Sequence, residues 1–232
     1  MFTRKDIRQI IEECREIGDV GLNNGVYASI PHLEIDIVEP PGDFLGVNGN
    51  PAIFINGDTY KLLGSLHSNW VENKTIALKV GFLEHSPINV IGAIIHETGH
   101  AFNVAANINN TEANAYIFEI EVMLKLFKTN SPLLFGCTAA DVQSYFASRL
   151  PYYNKVVNRN TYVASLVEHL KTQFELGPKD LVPTRVQPVT PTVFLRERFT
   201  LFAHSQWKKE HSIIMAAMRG DVEVKIEDGV RY

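Results

Sequence analysis

The stretch IGAIIHETGH, residues 91–100, makes two demands that few folds meet together. Ile91, Ala93, Ile94 and Ile95 are apolar enough to bury the segment as a helix. His96, Glu97 and His100 end it with three polar side chains, and buried polar side chains need partners. Ser86 as N-cap and Pro87 at the first helical position predict a helix from 87 to between 101 and 106. On such a helix His96 and His100, four apart, project from one face one turn apart.

That separation suits two ligands of one tetrahedral zinc ion. Glu97 lies one position round the helix from His96, beside a metal rather than on it. There it can take a proton from a water at the metal and later pass it to a leaving amine. H-E-x-x-H on a helix is the zincin motif. A random chain with 8 histidines in 232 residues would hold this pattern on the order of 0.02 times, which favours function over two surface histidines.

A catalytic zinc has three protein ligands and one open position, so one ligand must come from elsewhere. The metzincin position holds Ala106, not histidine. The next helical stretch, TEANAYIFEIEVMLKLFK, offers Glu112, Glu119 and Glu121. If the hairpin is symmetric about 108 and 109, Glu119 stands level with Thr98 and Glu112 is displaced by roughly 10 Å. Glu112 then serves only if the first helix ends soon after His100 and the connection is longer and looped; Gly99 and Asn103 make an early end possible. Glu112 and Glu119 share nearly the same face, so both stay open. Glu121 reads as a solvated surface charge. Tyr116, Tyr152, Tyr153, Tyr162, His204 and His211 are candidates to stabilise an oxyanion, each more simply read as structural. His85 is a loop histidine, or a fourth ligand that would close the site and make the metal structural.

The rest of the chain frames this motif. An amphipathic helix is predicted over 4–17, capped by Thr3, ended by Gly18, with Ile7, Ile10, Ile11, Cys14 and Ile17 on one face. HLEIDIV puts Leu33, Ile35 and Ile37 on one face of a strand, broken by Pro40, Pro41 and Gly42. AIFI (52–55) and TIALKVGF (75–82) are further strands of a small antiparallel or mixed sheet. A third long helix starts near Thr138 and ends before Pro151. A fourth covers 161–176, stopped by Gly177. Four prolines in 177–192 predict an extended strap, followed by a helix over 193–218 and an edge strand in the tail. The expected fold is α+β and forms one domain, 1–232. An α/β part of about 1–106 holds a small twisted sheet and the active-site helix. A helical part of about 107–232 forms the opposite wall of a cleft.

The net charge of −4 leaves no basic footprint, which argues against nucleic acid as the main partner. Two cysteines, Cys14 and Cys137, form no disulfide framework and suit a reducing compartment. The first residues lack the apolar core and cleavage site of a signal peptide, and no run is long enough to span a membrane. The expected setting is the cytoplasm, or a host cell reached by a leaderless route.

HETGH followed by TEANAYIFEIEVML resembles the gluzincin arrangement, in which a glutamate on the next helix completes the zinc site. The EANAY run is similar to the Glu-Ala-Asn-x-aromatic signature of the ImmA/IrrE-type metallopeptidases. It is also similar to the Asn-Glu-Ala run around the zinc glutamate of thermolysin-like enzymes. The resemblance covers residues 91–121. It implies a zincin-like fold, Zn2+ held by His96, His100 and Glu112, Glu97 as general base and acid, and hydrolysis of a peptide bond in a protein substrate. It also implies an edge strand beside the zinc that pairs with extended peptide, with 75–82 the first candidate and 52–55 the second. Two settings fit: an intracellular regulatory protease of the ImmA type, or a bacterial effector or toxin protease acting on a host protein such as actin. Only eleven residues separate His100 from Glu112, fewer than in the first group, which leans toward the effector class.

Overall fold

A computed structural model describes residues 2–39 and 50–177. The architecture is α+β: the described residues form six α-helices and a sheet of three short strands. Helix α1 (Arg4–Val20) opens with a capping box, in which Thr3 Oγ1 accepts from Asp6 N–H and the Asp6 carboxylate accepts from Thr3 N–H. Ile7, Ile10, Ile11, Cys14 and Ile17 are all buried, as their spacing requires. The helix does not stop at Gly18 but runs on to Val20, and Gly21, at φ 99°, terminates it. Gly18 is glycine for packing: a Cβ there would sit 3.1 Å from the Ala28 carbonyl and 3.2 Å from the Phe102 ring.

The sheet order is β1 (Glu34–Val38), β3 (Thr75–Lys79), β2 (Ala52–Phe54). β1 runs parallel to β3 and β2 antiparallel, so the sheet is mixed. Residues 75–82 are therefore not an edge. β3 is the central strand, and the chain turns into a 3-10 segment at Val80. Thr75, Ile76, Ala77 and Leu78 form a run without alternation because both faces of β3 are covered. Ile76, Leu78, Ile35, Ala52 and Phe54 face the main core under the helices. Ala77, Val38 and Ile55 face a smaller cluster with Leu63 and Trp70. That second face is closed by a short helix, α2 (Gly57–Leu63), which periodicity does not reveal. Asn56 caps it through its side chain.

Helix α3 (Pro87–Ala105) is apolar on nearly every side, the pattern of a helix at the centre of a core. It packs against α1, β2, α4 (Glu112–Lys128) and α5 (Ala139–Val156). α5 does not stop before Pro151: the proline lies buried inside it. Burial of Tyr145, Phe146, Leu150, Tyr153 and Val156 along one face outweighs the hydrogen bond the ring removes. Helix α6 (Thr161–Gln173) ends at Phe174, not at Gly177, with Glu175 at φ 53° just beyond. No described helix is long and apolar enough to cross a membrane. The break at 40–42, the strap from 178, the helix at 193–218, the tail strand, His204 and His211 lie outside the described residues.

Candidate metal centre

α3 carries His96 and His100 toward the N-terminal turn of α4. Thr111 caps that turn by accepting from Asn114 N–H, which fixes where α4 begins and so where Glu112 stands. One Glu112 oxygen lies 3.2 Å from His96 Nε2 and the other 3.4 Å from His100 Nε2. Ligand atoms of the three residues all fall within 4.8 Å of one another. Glu112 is thus the glutamate that approaches Nε2 of both histidines.

It gets there by one half of the route the hairpin argument requires, the looped connection, and not by the other. α3 does not end soon after His100; it continues to Ala105. The connection over 106–111 is a loop, not a symmetric turn, so levels counted outward from 108 and 109 are wrong. Gly99 does not end the helix either. It lets the helices touch: a Cβ there would stand 3.1 Å from the Ala115 carbonyl and from Phe118 Cβ. At that separation carboxylates two turns apart on α4 reach the His96 ring.

Glu119 takes the opposite side of that ring. His96 Nδ1 lies 2.8 Å from Glu119 Oε2, and His100 Nδ1 lies 2.7 Å from Asn110 Oδ1. Each Nδ1–H has an acceptor, which leaves each Nε2 with its lone pair directed at Glu112. Asn103 Nδ2, 3.4 Å from Asn110 Oδ1, supports the same orientation. The NINN turn therefore holds a positioning group for His100.

These donors fit a divalent ion of the zinc type. Glu112 Oε2 is buried, and its approach to His96 Nε2 is its contact in the cluster. Three lone pairs thus converge on one point, an arrangement that needs a cation or a proton. Without a metal the proton takes the place. Burial disfavours the His96 imidazolium, but contact with Glu112 and Glu119 outweighs it and holds the pKa up at about 9. His100 is also raised: burial opposes and Glu112 overcomes it. Burial alone would raise the Glu112 carboxyl, yet both histidines pull it well below the usual carboxylate range.

Glu97 is buried and points to the sheet, where its Oε2 accepts from Phe54 N–H at 2.7 Å. Ile55 N–H pairs inward with the Thr75 carbonyl, so alternation turns the Phe54 N–H outward, toward α3. The edge strand beside the HExxH helix is β2.

Behind His96, Glu119 is held by α5. Its Oε1 accepts from Tyr145 and Tyr153 hydroxyls at 2.7 and 2.5 Å and from Arg149 Nε at 3.0 Å. Its Oε2 accepts from Arg149 Nη2 at 3.0 Å as well as from His96. Burial pushes this carboxyl up, but Arg149 and His96 outweigh it and hold it down at about 2. Tyr145 and Arg149 escape motif reading; the signal that betrays them is the Tyr-x3-Arg-x3-Tyr row on one face of α5. Tyr153 is taken up by Glu119. Tyr116 packs 5.3 Å from the His96 ring, and its buried hydroxyl has no hydrogen-bond partner. Tyr152 lies under the Arg149 guanidinium at 5.3 Å.

Two other expectations change. Glu121 is not a solvated charge: it is buried, accepting from Asn23 N–H and Nδ2 and from the Tyr162 hydroxyl. His85 is exposed against Phe82 and does not join the cluster. No protein-family model, curated protein or solved structure matches the chain.

Proposed function

We propose that the protein is a zinc-dependent metalloendopeptidase with a zincin-like fold, hydrolysing a peptide bond in a protein substrate. The observation that carries this reading is the convergence of His96 Nε2, His100 Nε2 and the buried Glu112 carboxylate, with Glu97 one residue from the first candidate ligand. His96, His100 and Glu112 would hold a zinc ion, which would supply Lewis acidity toward the scissile carbonyl and toward water. Glu97 takes the proton of the attacking water and delivers it to the amine nitrogen as the C–N bond breaks. The Phe54 N–H fixes which carboxylate oxygen faces the strand. It also ties the base to β2, the strand we assign to pairing with extended substrate.

Metal analysis of the purified full chain and of Glu97→Ala tests this reading. Both are expected to hold one zinc, and only the wild type to generate new N-termini in a lysate. Running the comparison in bacterial and in eukaryotic lysates separates a regulatory protease from an effector acting on host proteins. Cleavage that survives Glu97→Ala would overturn the mechanism.

A further inference from the structure

Glu119 accepts five hydrogen bonds on two oxygens, all from buried donors, and four of the five come from one face of α5. Tyr145, Arg149 and Tyr153 follow one another at intervals of four, so they line a single stripe of that helix. Only Arg149 reaches both oxygens, by Nε and Nη2 at 3.0 Å each. A two-point contact from a planar guanidinium fixes the carboxylate in position and in rotation about its own axis, which neither hydroxyl can do. Rotation matters because Glu119 Oε2 is the acceptor of His96 Nδ1–H, and that bond sets the ring's tautomer and plane. Arg149 is itself buried, stacked on the Tyr116 and Tyr152 rings, with its guanidinium 5.4 and 5.3 Å from their centroids.

We infer that Arg149 is a positioning residue for the metal centre: through Glu119 it aims the His96 Nε2 lone pair at the point shared with His100 and Glu112. This rests on the metal-binding reading above. A lysine in its place would keep the charge but offers one nitrogen, which lacks the planar fork of two parallel N–H···O bonds.

The test is a Co2+ titration of the full chain, read by the visible d–d bands and by competition with a chelator, with circular dichroism to show folding. Wild type is expected to bind one Co2+ with the spectrum of a low-coordinate site. Arg149→Met is expected to weaken binding about 10–100-fold and to shift the bands, and Arg149→Lys to shift them in the same direction by less. If Arg149→Met does not fold, Arg149→Lys carries the test alone. Folded variants with wild-type affinity and bands would overturn the role of Arg149 and leave the metal centre standing. A wild type that binds neither Co2+ nor Zn2+ would remove the metal reading, and this inference with it.

Discussion

Replacing Gly92 by alanine sets two expectations of opposite sign against each other. Inside an exposed helix, alanine for glycine stabilises by about 0.5–1 kcal/mol. In α3 the new Cβ would lie 2.2 Å from the Tyr145 ring and hydroxyl. The ring cannot swing away, because Tyr145 is 4% exposed and its hydroxyl is bonded to Glu119. Overpacking of this kind costs about 1–3 kcal/mol. Displacing the hydroxyl also forfeits a hydrogen bond to a charged acceptor, about 1.5–3 kcal/mol. The clash wins, and Gly92→Ala is expected to destabilise by about 2–5 kcal/mol, a Tm fall of roughly 5–15 °C for a chain of this size. Urea unfolding in the presence of a chelator measures it, with an unchanged m-value showing that the unfolded state is the same. In a Tyr145→Leu background the colliding ring is gone, and the alanine should then cost less than about 1 kcal/mol. Wild-type or higher stability for Gly92→Ala would refute the reasoning. A cost that persists in the Tyr145→Leu background would show that the collision lies elsewhere.

Tyr116→Phe removes a buried hydroxyl that has no partner, so stability should stay within about 0.5 kcal/mol or rise, since only unmade bonds are lost. A loss above about 1 kcal/mol in urea would mean the hydroxyl is satisfied. The metal-free protein should lose stability as pH rises. His96 holds its proton up to about 9 in the folded state and about 6.5 unfolded, so its contribution is complete below pH 6.5 and fades between 6.5 and 9. The depressed carboxyls of Glu112 and Glu119 act the other way, contributing above their unfolded value near 4.5 and fading as pH falls. Zinc competes with the His96 proton, so its affinity should climb through the same upper window. A chelated Tm that is flat from pH 6.5 to 9 would contradict this assignment.

Much of this was legible in the residues. The apolar run before His96 announces a buried helix, and the i, i+4 spacing puts both imidazoles on one face. What spacing could not resolve was depth. Glu112 and Glu119 share a face of α4, and only the close approach at Gly99 lets one stand in front of the His96 ring and the other behind it. Pro151 hides inside α5 because a buried face of large side chains overrides a local breaker. The unbroken run of β3 fits a strand covered on both sides, whereas the edge expected at 75–82 was implied by the zincin resemblance. Arg149 carries no motif; its meaning lies in a carboxylate thirty residues away.

All three candidate ligands, and the acceptors that orient the two histidines, lie between His96 and Glu119, on two helices joined by a short loop. The groups that finish the site come from farther off: the Phe54 N–H from the sheet, and the Arg149 fork from α5. In the proposed reading, capture of metal is therefore a local event in the chain, and completion of the proposed catalytic geometry is a long-range one. An unfolded chain that still brings these ligands near one another keeps part of its hold on zinc. Added zinc should then raise the folding free energy by less than its native affinity implies. The shortfall, measured with and without urea, reports how much of the centre exists before the sheet and α5 have docked.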